Sequence, residues 1–326
     1  MRVIITCSGG KDSVAALLWM RNNGYRNFEV VFCDTGWESP ITYKYLDYLQ
    51  KKLDFELKVL NSKKFDGLID MSEKKSRFPS SQRRFCTSEL KSIPMIDYLL
   101  DEVKDDFIVV QGIRGAESES RSKMQSQCNY FKYYIEPIET NTTRIEKYKK
   151  QLKTEKKASK INKIVAKLEK AEYRLSIGKE DPKYHTYRRK SVLKYAKSHA
   201  TDVLRPIFDW TAQQVIDYIL DNGLKPNPLY KLAMKRVGCF PCIMSALPEI
   251  HQLSERFPDR IKEIAEYEKR IGSSFFGPDK IPSRYYTGSY PLIADVVKYA
   301  KGKYDSGQLF DDTAATSCMS YYGLCE

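Results

Sequence analysis

The chain contains no run of about 18 apolar residues, so no transmembrane helix is expected. Its opening residues, Met1-Arg2-Val3-Ile4-Ile5-Thr6, turn at once into glycines. That is too short for the apolar region of a secretory signal, and it predicts a buried strand in a cytoplasmic protein. No internal repeat is present, which excludes a solenoid or propeller. Histidine is scarce: His185, His199 and His251 lie in or beside charged stretches and attract no role. No surplus of acid balances the bases, and the 326 residues carry a net charge of +13.

That charge is localised. Between Asn141 and Lys190 there are 17 Lys plus Arg against 6 Asp plus Glu, so nearly all of the excess lies in one segment. One element rather than the whole surface would then contact a polyanion such as nucleic acid, although a solvated helical arm has the same composition. The eight cysteines do not read as a disulfide framework in a reducing compartment. Cys7 and Cys33 fall in or after strand-like runs, and Cys128 in a polar stretch; all three read as structural or incidental. Cys86, Cys239, Cys242, Cys318 and Cys325 occupy loop-like contexts.

Apolar patterning predicts strands at 3–6, 28–33, 56–60 and 107–112, alternating with helices at 14–20, 40–53 and 93–100. Such alternation is the pattern of an α/β fold with a doubly wound, mostly parallel sheet. Ligands bind such sheets at the carboxyl ends of the strands. The loops Ser8–Ser13, Asp34–Gly36 and Gly112–Arg121 would meet there. Residues 144–175 favour helix, with a narrow apolar stripe at Ile161, Ile164, Val165 and Leu168, enough for a helical hairpin and too little for a core of its own. Thr211 is a candidate N-cap for a helix over 212–222, a charged helical stretch runs from about 248 to 271, and the last 45 residues read as an extended tail.

The most specific local signal is a strand leading through Ser8-Gly9-Gly10-Lys11-Asp12-Ser13 into a helix. Two glycines let main-chain N–H groups approach phosphate oxygens, and the helix start adds partial positive charge. Lys11 supplies a mobile cation, and Ser8 and Ser13 supply hydroxyls. The glycine spacing is not that of the longer kinase and GTPase P-loop. It resembles the PP-loop of the adenine nucleotide α-hydrolase-like superfamily, whose members split ATP to AMP and pyrophosphate.

Further segments follow in order: Asp34-Thr35-Gly36, Gly112-Ile113-Arg114 with Glu117, Ser118 and Arg121, Asp209-Trp210-Thr211, Asn227-Pro228-Leu229-Tyr230, and Gly238-Cys239-Phe240-Pro241-Cys242. Together they resemble the phosphoadenosine phosphosulfate (PAPS) reductase family over most of residues 1–245, apart from the basic insertion. The resemblance implies that Asp34, Thr35 and Gly36 lie beside adenosine, and that Arg114, Glu117, Ser118 and Arg121 lie near phosphate or sulfate. Two departures matter. Assimilatory reductases lack the full Ser-Gly-Gly-Lys-Asp-Ser loop, which this chain shares with the sulfur-transfer relatives that modify DNA and tRNA. Reductases also end in a Glu-Cys-Gly nucleophile, whereas here the cysteine nearest the end is Cys325.

Cys239 and Cys242 form a C-x-x-C turn whose sulfurs could face one metal. The resemblance implies that Cys86 joins them around a [4Fe–4S] cluster, with Cys325, or alternatively Cys318, as fourth ligand and with Arg83, Arg84 and Lys91 offsetting its charge. Zn²⁺ and a metal-free redox pair are the alternatives. The implied enzyme uses Lys11, Asp12 and Arg114 on ATP with Mg²⁺, activates an acceptor as its adenylate, and transfers sulfur, with a cysteine desulfurase as partner. The competing readings are a PAPS or adenosine phosphosulfate (APS) reductase with Cys325 as nucleophile and a thioredoxin-like reductant, and a non-catalytic nucleotide-binding protein. The expected organisation is a nucleotide-binding domain at 1–140 and 191–238, a basic helical insertion at 141–190, and a cluster-binding region and tail at 239–326.

Overall fold

The computed structural model describes residues 1–304. Cys318 and Cys325 lie outside the described residues. Strands β1 (Arg2–Thr6), β2 (Glu29–Cys33), β3 (Leu57–Leu60), β4 (Phe107–Val110), β5 (Gln127–Asn129) and β6 (Thr201–Leu204) form one sheet in the order β3-β2-β1-β4-β6-β5. The β1–β2, β1–β4 and β2–β3 ladders are parallel. The chain steps outward from β1 through β2 to β3, then returns to the other side of β1 with β4. The crevice beyond the carboxyl ends of β1 and β4 is therefore the topological switch point, where such sheets take ligands.

Helix α1 (Lys11–Asn22) follows β1, and α2 (Pro40–Leu53) follows β2. Ser39 caps α2 by accepting from the Ile41 N–H at 3.2 Å, and Pro40 starts it with a fixed φ. Helix α3 (Gly67–Lys74) was not foreseen from the patterning. The helix expected at 93–100 is longer: a continuous helical run, α4, spans 85–103 with two wider π-type turns, and so carries Cys86 and Lys91 at its start. Val3, Ile5, Val30 and Phe32 share one buried cluster with α1 and α2, covering one face of the sheet. On α4, Tyr98 donates to Glu29 of β2, and the Val103 carbonyl accepts from Arg2 of β1 at 3.3 Å.

Residues 128–202 form a separate compact unit between the two parts of the first. It contains α5 (Asn141–Thr154), α6 (Ala158–Ser176) and α7 (Arg189–Ser198). α5 and α6 pack as a helical hairpin, bridged by Lys149 and Glu172 at 3.0 Å. The expected stripe of Ile161, Ile164, Val165 and Leu168 is only half-buried. An aromatic group of Phe131, Tyr134 and Tyr195 holds the base of this unit. Its limits are wider than the 141–190 read from charge, because the aromatic residues that anchor it are uncharged.

Helix α8 (Ala212–Asp221) begins at the expected cap: Gln214 N–H donates to Thr211 Oγ1 at 3.2 Å, while Thr211 N–H donates to the Gln214 side chain at 2.8 Å. The charged stretch near 248–271 is two helices, α9 (Leu247–Arg256) and α10 (Pro258–Ile271), because Pro258 cannot continue α9. The expected tail is partly helical instead: α11 (Ile293–Tyr304) buries Ile293, Val296 and Ala300 completely. Nor does the chain divide at residue 239. Trp37, Phe65, Leu68, Met71 and Leu90 share one core with Ile250, Ile264, Phe275, Phe276, Ile293 and Val296. Local polarity hid this, since these apolar residues are spread thinly through charged sequence. Among the described residues no helix is long and apolar enough to cross a membrane.

Candidate nucleotide and thiol site

Gly9 adopts φ +73°, a left-handed conformation natural to glycine, and a Cβ there would stand 3.2 Å from Thr42 Cγ2. The turn is pinned from a distant segment. Asn227 is fully buried; its Nδ2 donates to the Gly9 carbonyl at 3.3 Å and its Oδ1 accepts from Leu229 N–H at 3.0 Å. Tyr230, also buried, accepts from the Lys11 N–H at 2.9 Å, and burial pushes its phenol well above the usual range. The Ser13 hydroxyl donates to the Gly10 carbonyl at 2.9 Å and accepts from the Ser8 N–H at 3.2 Å. Asn227 and Tyr230 came from a segment that carries the family resemblance, but their contact with this loop depends on tertiary packing.

Lys11 is not the mobile cation expected. It is 5% exposed, and its Nζ contacts both Asp12 carboxylate oxygens at 2.9 and 3.0 Å. Arg114, 4% exposed, donates its Nε–H to the same carboxylate at 2.6 Å and an Nη1–H to the Trp210 carbonyl at 3.2 Å. One carboxylate thus fixes two cations at the start of α1. Gly112 makes this approach possible: a Cβ there would lie 2.3 Å from the Asp12 carbonyl oxygen. Arg121 pairs with Glu117, whose carboxylate also accepts from the Arg114 N–H at 3.3 Å, and Ser118 Oγ accepts from the Arg121 N–H at 3.3 Å. Burial lowers the Arg121 pKa, Asp12 opposes this, and Arg236, Arg84 and Arg114 add to the lowering. Arg84, expected only beside the cysteines, and Arg236, unremarked in the sequence, therefore belong to the same cationic field. Its physical use is to receive an anion with several oxygens.

The loop after β2 makes the second half of the site. Asp34 accepts from the Gly36 N–H at 2.8 Å and from the Tyr43 hydroxyl at 2.7 Å. Thr35 donates its hydroxyl to Glu38 at 2.7 Å and its N–H to the same carboxylate at 3.2 Å. Burial raises the Glu38 pKa, with Lys91 and the Thr35 hydrogen bond opposing. Thr35 Oγ1 is also 3.5 Å from Cys239 Sγ, and Glu38 pairs antiparallel with Cys239 through a single bridge. The Phe240 N–H donates to the Trp37 carbonyl at 2.8 Å, Trp37 Nε1–H donates to the Pro241 carbonyl at 3.1 Å, and Arg260 lies 3.4 Å over the Trp37 ring. The cysteine turn is therefore bolted to the Asp34–Gly36 loop.

Lys91 lies within electrostatic reach of Cys239, Glu38, Cys33 and Cys242, and Cys86 within reach of Cys242, Arg84 and Lys91. Burial raises the Cys239 thiol to about 11, against the pull of Lys91. Cys33, expected to be incidental, joins the same surroundings: its thiol meets the Lys91 carbonyl at 3.5 Å. Among the described residues, no group of three His, Cys, Asp or Glu side chains is arranged to hold a metal ion.

A mostly parallel α/β sheet, with an ion-paired anion cradle at its switch point, defines a nucleotide-binding enzyme class. Residues 2–245 match the phosphoadenosine phosphosulfate reductase domain, and the chain belongs to that family. It is 26% identical to an uncharacterised 37.8 kDa protein of Escherichia phage 186, over 99% of this chain and 96% of that one. An uncharacterised protein of Methanocaldococcus jannaschii is 24% identical over 81% of this chain, which spans only 47% of that longer protein. A 48-residue stretch, 15% of this chain and 20% of its counterpart, is 40% identical to adenosine 5'-phosphosulfate reductase of Neisseria meningitidis. Among solved structures, phosphoadenylyl-sulfate reductase from Candida auris superposes with a TM-score of 0.42 at 13% identity, covering 74% of this chain and 83% of that one.

Proposed function

We propose that this protein is an ATP-dependent sulfur-transfer enzyme that releases pyrophosphate and carries an iron–sulfur cluster. The observation that carries the reading is the Lys11–Asp12–Arg114 array behind Gly9 and Gly10. A polyphosphate entering there meets two cations already positioned, together with the N–H groups of the turn and of α1. Mg²⁺ bound with the nucleotide would offset part of its charge. An acceptor oxygen attacks the α-phosphorus; the bond to the β-phosphate oxygen breaks and pyrophosphate leaves. The outer sulfur of a persulfide, delivered by a cysteine desulfurase, then attacks the activated acceptor and displaces AMP, and a dithiol reductant cleaves the resulting disulfide to leave the thiolated acceptor and the carrier cysteine. Arg114 and Arg121 hold the charge that develops, while Asp34, Thr35 and Gly36 border the adenosine.

Thiolate donors suit an iron–sulfur cluster, with zinc as the competitor. Cys86, Cys239 and Cys242 are the described candidates, joined by Cys325 or Cys318. If only three of these thiolates bound the cluster, one iron would stay open and could carry an additional sulfur. Lys91 and Arg84 offset the negative charge of such a group.

The similarity to adenosine 5'-phosphosulfate reductase over 48 residues favours a second reading. In it, the Cys325 thiolate attacks the sulfur of a sulfonucleotide, AMP or its 3'-phosphate leaves, and a thioredoxin-like dithiol reduces the thiosulfonate to release sulfite. One anaerobic preparation separates the two. Pyrophosphate from ATP, abolished in Lys11→Ala, supports the first; sulfite from PAPS or APS, abolished in Cys325→Ser, supports the second. Tight ATP binding with neither product would leave a non-catalytic nucleotide-binding protein.

A further inference from the structure

One groove among the described residues has no part in the nucleotide site. It has a volume of about 860 Å³ and lies between the turn Ser283–Tyr285 and one face of α11. Its helical wall is Asp295, Lys298, Tyr299, Gly302 and Lys303, spaced at i, i+3, i+4, i+7 and i+8, while Ile293, Val296 and Ala300 fill the opposite, buried face. The other wall carries Arg284 and Tyr285. The Tyr285 ring is 46% exposed, packs edge-on to Tyr299 at 4.6 Å between centroids, and has the Arg284 guanidinium 5.1 Å away. Three cations face one carboxylate, and that carboxylate accepts from the Leu292 N–H at 3.0 Å at the start of α11.

Gly302 completes the picture. A glycine inside a helix costs roughly 0.5–1 kcal/mol relative to alanine. A Cβ added here would meet no atom of the described residues within 4 Å, so among them the wall of the groove is open at this position.

The exposed Tyr285 ring, flanked by Arg284 and by Lys298 across the channel with the half-buried Tyr299 behind it, fits a flexible polyanion that also carries flat π-faces. We infer that this groove binds a single-stranded nucleic acid segment, with a base stacking on Tyr285 and phosphates paired to Arg284 and Lys298. Stacking of this kind tolerates any base, and the cations make affinity depend on salt. The inference supplies an acceptor class for the function proposed above, yet it stands on the groove alone, since binding needs neither ATP nor sulfur.

The test is fluorescence anisotropy of a labelled 15-nucleotide oligothymidylate on the full chain without ATP, over a range of salt. Arg284→Gln/Lys298→Gln is expected to lower the logarithmic salt slope by about 1.4, at about 0.7 per lost phosphate contact. Tyr285→Ala is expected to weaken binding roughly 5- to 150-fold, and Tyr285→Phe to retain it, because stacking uses the ring and not the hydroxyl. Gly302→Leu favours the helix by about 1 kcal/mol and blocks the channel, and a thermal melt no lower than the parent's separates lost binding in that variant from unfolding. The inference is overturned if the parent protein fails to bind the oligonucleotide, if the double charge variant and Gly302→Leu bind like the parent, or if AMP competes as well as unlabelled oligonucleotide. Pyrophosphate release is scored separately: lost oligonucleotide binding with ATP cleavage retained removes the groove and leaves the nucleotide reading intact.

Discussion

Asp12 is the residue on which the cradle turns. Its carboxylate pairs with Lys11 and Arg114 at once, and all three are largely withdrawn from water. Burying two cations without that carboxylate would leave uncompensated charge, which is strongly destabilising. Lys11→Ala should therefore weaken ATP binding about 10- to 100-fold, as expected for lost hydrogen bonds to a charged group, and isothermal calorimetry reads the change directly. Gly112→Ala tests the fit rather than the charge. Its methyl group would fall 2.3 Å from a main-chain oxygen, so α1 or the loop after β4 has to shift. Urea unfolding should show a loss of about 1–3 kcal/mol, and nucleotide binding should fall with it.

Among the elements, α10 and α11 are joined through Glu268. Its two carboxylate oxygens accept from the Phe275 and Ile293 N–H groups, each at 2.8 Å. Burial raises its pKa to about 7 from an ordinary 4.5, with the two backbone hydrogen bonds opposing. Between those values the folded form holds a proton that the unfolded chain releases. This contribution to stability is fully present below about pH 4.5 and is lost as pH rises through about 7. The urea midpoint should thus be higher at pH 5 than at pH 8, and Glu268→Gln should flatten that difference. The role of α11 in the core has its own test: Ile293→Ala, at a fully buried position, should cost about 2–5 kcal/mol, whereas a tail lying outside the core would tolerate it.

At the scale of the whole molecule, the basic hairpin can be separated from the fold that carries the nucleotide site. Glu139 and Lys183 pair antiparallel, with Lys183 N–H to the Glu139 carbonyl at 2.8 Å and Ile138 N–H to the Lys183 carbonyl at 2.7 Å. Replacing residues 140–182 by an Asn-Gly turn joins strand-like ends that are already paired. The shortened protein should fold and bind ATP unchanged. If the hairpin also holds nucleic acid, its loss should lower the salt dependence of oligonucleotide binding; an unchanged slope would make it a solvated arm. Anisotropy against salt distinguishes these outcomes.

The sequence by itself determined the parallel sheet, the strand–turn–helix at Ser8–Ser13 and the cap at Thr211, because hydrophobic period, glycine freedom and capping chemistry act over a few residues. It also supplied the ordered motifs that place the chain in its family. Only the tertiary structure decided that Tyr230 and Asn227 brace a loop some 220 residues away, and that Arg84 and Arg236 join the field around Asp12. The same holds for Cys33, drawn beside Lys91, and for residues 281–296, drawn into the core with Trp37. Such contacts depend on which surfaces the packed sheet and helices bring together, and sequence spacing carries no record of that.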